Sequence, residues 1–182
     1  MYHKHLTEGI VIRGMDRGDS SKVVTLLTKE FGLVYASVQN ARAETSKLRY
    51  GIQDFTSGTF SLVKGRHSWK LVGTEARGNF WINSEEGQNG SSKFTKARVL
   101  SLARRLSGEE KNQEFYEALE SLLNFKEKDQ EKLKEKELET ILKMLKTSGF
   151  LKEDELEIET LVKDRRRAIE IINNSLNMAG LE

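Results

Sequence analysis

The 182-residue chain contains no cysteine and no proline. Without cysteine, disulfides, thiolate zinc sites and cysteine nucleophiles are excluded. Without proline, turns depend on Gly, Asn, Asp and Ser. Histidine is scarce, with only His3, His5 and His67. His3 and His5 stand two apart, a spacing from which a strand could clip a metal, but no third ligand accompanies them. A solvent-facing pair is the simpler reading. Long apolar runs are missing too: nothing approaches the roughly 20 residues of a membrane helix. Met1 to Glu8 lacks the apolar core of a signal peptide, so a cytoplasmic protein without membrane association is expected. Catalytic signatures are equally sparse. There is no GxGxxG after a strand, no GxxxxGK[ST], no GxSxG and no HExxH. The pairs Glu85-Glu86 and Glu109-Glu110 fall in apparent linkers, where neighbouring side chains do not converge on a substrate. Neither an enzymatic activity nor a cofactor is expected.

What is present is a soluble balance of 37% hydrophobic and 32% charged residues, a composition that folds. The net charge of +2 hides an asymmetry. Residues 1–81 hold 12 Lys and Arg against 7 Asp and Glu, whereas 82–182 hold 18 against 21. A basic first half and an acidic second half suggest two surfaces with different partners, the basic one suited to a polyanion.

The first half has strand character. Glu8 to Arg13 is a β-branched run ending at Gly14. Lys22–Thr28, Leu33–Val38, Thr59–Val63 and Trp69–Thr74 supply four more, the last two flanking a Gly-containing hairpin at Lys64 to Ser68. Five strands in so short a span predict a small barrel, because an open sheet would leave two edges to protect. Asn83 to Ser92 is polar and aperiodic, which is linker composition. Beyond it the apolar period changes to 3.6: Val99, Leu102, Ala103 and Leu106, then Phe115, Leu119, Leu122 and Leu123. Leu138, Ile141, Leu142 and Leu145 follow, stopping at Ser148-Gly149 as a C-capping glycine would dictate. Ile169, Ile172 and Leu176 mark a last helix. The expectation is α+β: a five-stranded OB-type barrel over 1–82, a linker over 83–92 and an all-α domain over 93–182. Lys126 to Glu139 reads as a solvated helix face.

OB barrels generally take ligands over strands 2 and 3, between the first hairpin loop and the loop joining strands 4 and 5. The first loop, Gly14 to Ser21, offers Arg17. The last offers Lys64 and Arg66 beside His67, Trp69 and Lys70. The stretch after strand 3 supplies Arg42, Lys47, Arg49 and Tyr50 against Glu44 alone. Cations interleaved with aromatics suit a single strand, with Lys and Arg on phosphates and aromatic faces on bases. Phe60 and Leu62 are barrel filling; Trp69 is open between filling and stacking. Arg165-Arg166-Arg167 at the start of the last helix opposes the helix dipole. A bridge to the acidic segment Glu153 to Glu159 and a DNA contact are its two readings.

His5 to Ile12, followed by Asp19 to Gly32, resembles the opening of the RecO recombination mediator family. Asn40 to Lys47 is similar to that family's small-residue, basic segment. Asp54-Phe55-Thr56-Ser57-Gly58 resembles its Pro-Phe-x-x-Gly step without the proline, and Lys70 to Ala76 its final strand. Arg105-Leu106-Ser107-Gly108 and Leu138 to Leu151 resemble the helical core. The resemblance runs from Met1 to about Leu151 and rests on the ordered series rather than on one motif. Many relatives carry a cysteine zinc module that this chain lacks, so the resemblance implies a shortened, metal-free form.

It further implies binding of single- and double-stranded DNA through the barrel, annealing of complementary strands and a nucleoid-associated location. Partners implied are RecR, single-strand-binding protein and, indirectly, RecA. Arg42, Lys47 and Arg49 are the matching DNA-contacting positions. The acidic tail of single-strand-binding protein needs a basic, partly apolar groove on the helical domain, for which Arg98, Arg104 and Arg105 are candidates. Two rivals stand beside this: an OB-helical adaptor that recognises only protein, and a nuclease or hydrolase built from distant carboxylates.

Overall fold

The computed structural model describes residues 3–43, 46–66, 68–82, 91–126, 129–151 and 158–181. The chain divides into two compact units, Met1–Glu85 with Gly108–Lys111, and Glu86–Ser107 with Asn112–Glu182.

The first unit holds β1 (Lys4–Arg17), β2 (Ser21–Thr28), β3 (Gly32–Val38), β4 (Thr56–Lys64) and β5 (Trp69–Asn79). They close in the order β1-β2-β3-β5-β4, so that among the described residues each strand has a neighbour on both sides. This is a five-stranded OB-type barrel. The seam is short and parallel, Ala36 opposite Trp69 and Ser37 opposite Lys70, while every other pairing is antiparallel.

Alternation along the strands fills the barrel. Val24 and Leu26 of β2, and Val34, Ala36 and Val38 of β3, meet Val11, Phe60, Leu62 and Leu71 in one buried cluster. Removing such a side chain from water is worth about 1.5–3 kcal/mol. Residues 39–55, between β3 and β4, add Ala41 and Ile52 to that cluster and rest Leu48 against it. This connection is anchored at its far end, where the Gly14 amide donates to Asp54 Oδ1 at 2.7 Å and the Phe55 amide to the Val11 carbonyl at 2.8 Å. At Gly32 the backbone is left-handed, φ +61°, and a Cβ would stand 2.3 Å from the Glu110 carbonyl oxygen. The segment Gly108–Lys111 therefore lies directly on the β2–β3 turn, and Leu33 donates its amide to Gly108 at 2.8 Å.

Three strands are longer than the sequence suggests. β1 does not end at Gly14 but runs to Arg17, pairing with β2 at one end and β4 at the other. The first loop accordingly shrinks to residues 18–20. β4 begins at Thr56 and β5 extends to Asn79, whose side-chain amide donates to the Asp54 carbonyl and to Thr56 Oγ1. Glycine and polar residues here are ladder positions, which apolar runs alone do not reveal.

The second unit contains α1 (Ser91–Leu106), α2 (Gln113–Leu123), α3 (Gln130–Thr147), α4 (Ile158–Lys163) and α5 (Arg165–Met178). The stripes on α1 to α3 pack largely as their spacing predicts: Val99, Ala103, Phe115, Leu119, Leu122, Leu142 and Leu145 are buried, with Leu102 and Ile141 half-buried. Asn112 caps α2, accepting from the Phe115 amide at 3.0 Å. Gly149, φ +79°, stops α3 as expected, with the Phe150 amide donating back to Leu145.

Two expectations are corrected in this unit. The last stripe is rotated: Ala168, Ile172 and Ser175 are buried, whereas Ile169 is 41% exposed. Small residues let α5 pack closely there, and a pattern read only from large side chains overlooks them. Nor is Lys126 to Glu139 wholly solvated, since Leu133, Glu137 and Leu138 are buried. Glu137 tolerates burial because Arg98 covers it as a counter-ion. The run Arg165 to Arg167 follows Asp164, which caps α5 and accepts from the Arg167 amide at 3.2 Å. Arg165 faces Glu131 at 3.7 Å. Most of the acidic segment offered as its partner, residues 153–157 of Glu153 to Glu159, lies outside the described residues.

Candidate nucleic-acid interface

The two loops beside which OB barrels generally take ligands converge on the C-terminal end of β3. Val38 pairs with Lys22, next to the β1–β2 turn, and Ser37 pairs with Lys70, next to the β4–β5 hairpin. Arg17 stands at the tip of β1, opposite Ser21, and is exposed. The Arg42 amide donates to the Ser20 carbonyl at 3.2 Å, which draws the β3–β4 connection against the same turn. Its guanidinium lies 3.9 Å from Asp16, which also holds Lys22 at 3.4 Å. Arg17 and Arg42 thus form one basic rim with Lys22, and Asp16 lies within it.

On the hairpin side, Lys64 and Arg66 are exposed, and Gly65 donates to the Ser68 carbonyl at 2.9 Å. His67 lies outside the described residues. Trp69 is not a bare platform. Its ring meets Phe31 (5.1 Å between centroids) and His5 (5.6 Å), it rests on the barrel core, and Lys64 Nζ sits 5.3 Å over it. Lys70, exposed, follows it on the outer face. Lys47, Arg49 and Tyr50 are exposed on the connection whose Leu48 and Ile52 plug the barrel, apart in the chain from both rims.

Between the rims the strand exteriors bring up residues that loop composition does not mark. Tyr35 is 47% exposed between inward-facing Val34 and Ala36. It pairs with Thr25, and Thr25 with Arg13. The signal was in the sequence: in a strand of alternating pattern, an aromatic flanked by two apolar residues faces outward. Arg13 carries no such signal, because strict alternation from inward Val11 would turn it into the barrel. A β-bulge between Val11 and Arg13 leaves Ile12 as the extra residue and turns Arg13 outward.

In the helical unit, Arg98 and Arg105 line a groove of about 530 Å³ among α1, α3 and α5. Arg104 is not among its lining residues. Lys134 and Arg165 are: nothing in the sequence marks Lys134, and Arg165 is expected there at an acidic bridge or a DNA contact rather than in a groove. Its walls include Leu102, Leu138, Ile141, Ile172 and Leu176. Arg98 pairs with Glu137, and Glu131 holds Lys134 at 2.8 Å. The Lys134 hydrogen bond and charge hold the Glu131 carboxyl below its usual 4.5. Among the described residues no three His, Asp or Glu side chains are placed to hold a metal, and no helix is long and apolar enough to cross a membrane.

Residues 1–80 match the family model described as Recombination protein O N terminal, and relatives named DNA repair protein RecO match beyond it. The protein of Alkaliphilus metalliredigens is 30% identical over 150 residues, covering 79% of this chain. That of Halalkalibacterium halodurans is 31% identical over 127 residues, and that of Gloeothece citriformis 35% over 96. The chain belongs to the RecO family. Its matched stretches span 58%, 48% and 34% of those three RecO proteins. The RecO N-terminal match coincides with the closed barrel, which ends at Asn79.

Proposed function

We propose that this RecO-family chain is a non-enzymatic, DNA-binding recombination mediator in DNA repair. The barrel binds single- and double-stranded DNA and anneals complementary strands, and the chain assists RecA loading together with RecR and single-strand-binding protein. The observation that carries this reading is the RecO N-terminal match on an OB barrel whose two loop rims bear Arg17, Arg42, Lys64, Arg66 and Lys70. Cations placed on both sides of an open strand face suit phosphates, whose neutralisation makes binding strongly salt-dependent. Lys47 and Arg49, exposed on the β3–β4 connection, are assigned to DNA with Arg42 on the resemblance of this stretch to the RecO family's basic segment. Trp69, with Lys64 over it, is assigned to the wall of the site.

The helical groove is the assigned seat of the acidic tail of single-strand-binding protein. Four cations, Arg98, Arg105, Lys134 and Arg165, line an otherwise largely apolar groove with one carboxylate, Glu137. That combination fits an acidic peptide with apolar side chains.

The deciding experiment is an anisotropy titration with a labelled single-stranded oligonucleotide at several salt concentrations. A mediator binds and weakens steeply as salt rises. A chain that binds no oligonucleotide at low salt is a protein-only adaptor, and the reading fails. Divalent-metal-dependent cleavage of the same oligonucleotide would instead identify a nuclease.

A further inference from the structure

The outer face of β1, β2 and β3 has two registered rows. In one, Arg13 of β1, Thr25 of β2 and Tyr35 of β3 stand side by side. In the other, Met15, Val23 and Ser37 stand side by side and continue to Lys70 of β5. Neighbouring strands are about 4.8 Å apart. Arg13 is therefore roughly 10 Å from Tyr35 along its row. Lys70 lies diagonally, one strand across and two residues along, at roughly 8 Å. Thr25 between them is small and only 7% exposed, so it forms a floor rather than a wall. Tyr35 is thus a half-exposed ring on a strand surface, with an exposed cation on each side.

We propose that Tyr35 is a base-stacking platform for single-stranded nucleic acid, with Arg13 and Lys70 holding the phosphates that flank the stacked nucleotide. This rests on the reading of the barrel as a DNA-binding module and adds the mode of recognition. Three features support it. A tyrosine offers a flat apolar face without a charge, which suits any base, and stacking is tolerant of sequence. The flanking cations complement the backbone charge on both sides of that base. The bulge at Ile12 is the third: it turns a cation, in place of an isoleucine, onto this row, and bulges re-aim side chains in this way at binding surfaces. A duplex gains nothing from Tyr35, because its base faces are already covered by their neighbours; only an unpaired base presents a free face.

The test is anisotropy with the full chain, using a fluorescein-labelled oligothymidylate and a duplex, each across a salt series. Tyr35→Ala is expected to weaken oligothymidylate binding about 5- to 100-fold, the loss of one stacked base, with the salt slope unchanged. Tyr35→Phe keeps the ring and binds as the wild type does. Arg13→Ala and Lys70→Ala each flatten the slope by about 0.7. Duplex affinity stays within twofold in Tyr35→Ala. The ring is exposed enough that an unchanged melting temperature is expected to accompany these effects.

A folded Tyr35→Ala protein that binds oligothymidylate within twofold of wild type overturns the proposal while leaving DNA binding intact. Equal losses in Tyr35→Phe and Tyr35→Ala place the contact at the hydroxyl and overturn stacking. If the wild type binds no oligonucleotide, the DNA-binding reading itself falls, and this inference with it.

Discussion

Lys96 of α1 donates its ammonium to the Leu123 carbonyl at 2.9 Å, and to that of Phe125 at 2.8 Å, beyond the end of α2. A cation is thereby buried, 8% exposed, where the helix dipole and two carbonyl oxygens receive it. Burial, and secondarily the charge of Lys126, hold its pKa below the usual 10.5. Lys96→Met keeps the apolar stem and strands two acceptors, which is expected to cost about 1–3 kcal/mol at neutral pH. The sign of the pH effect is opposite to that of an exposed lysine in an ion pair. Between the lowered folded value and 10.5, the unfolded chain binds this proton better than the folded one, so stability rises with pH across that window. Urea unfolding of wild type and Lys96→Met at neutral pH and near pH 10.5 measures both effects. The wild type should gain relative to the variant as pH rises.

Gly32 cannot take a side chain. Its φ of +61° disfavours any β-carbon, and the Glu110 carbonyl oxygen occupies the place where one would go. Gly32→Ala is expected to destabilise the barrel unit by about 2 kcal/mol or more, since strain and overlap add. Thermal melting read from the Trp69 and Trp81 fluorescence reports it. A shift of less than a degree would show that the segment Gly108–Lys111 simply moves away.

Replacing Arg42, Lys47 and Arg49 together by Ala should weaken binding to all DNA sequences alike. On single strands the logarithmic salt slope should fall by about 0.7 for each phosphate left without its cation, hence by about 2 for three. The Arg42–Asp16 pair is exposed, so stability should change little. Unchanged affinity and slope in the folded triple variant would remove these residues from the interface.

The groove assignment separates arginines that the sequence could not. Arg105→Ala combined with Lys134→Ala should weaken binding of an acidic, apolar-ended tail peptide at least tenfold, whereas Arg104→Ala should not. Single-stranded DNA binding by the double variant should stay near wild type. Arg98 is a poorer probe, because its loss strands the buried Glu137 carboxylate and costs stability as well. Isothermal titration with the peptide distinguishes the variants, and equal losses from Arg104→Ala would reject the groove.

The class of this protein is written in its residue pattern. Alternation in Lys22–Thr28 and Leu33–Val38 specified strands, the 3.6 period at Val99 to Leu106 and Phe115 to Leu123 specified helices, and five short strands without covered edges called for a barrel. Those patterns are local, written within one or two turns or along one strand. The site was only partly legible, because it is made by register between segments far apart in the chain. Arg17 and Lys70 could be named from loop composition, yet nothing near residue 13 announces that a bulge at Ile12 turns Arg13 to the face that Tyr35 shares. Trp69 beside a basic hairpin reads equally as filling or as a platform; only the fold shows its ring packed against Phe31 and His5. Likewise Arg104 and Arg105 are neighbours of one type, and only the direction each takes from α1 decides which lines the groove. Side-chain period follows from the covalent chain, but which faces meet is decided by pairing and packing, whose energies exist only after the chain has closed on itself.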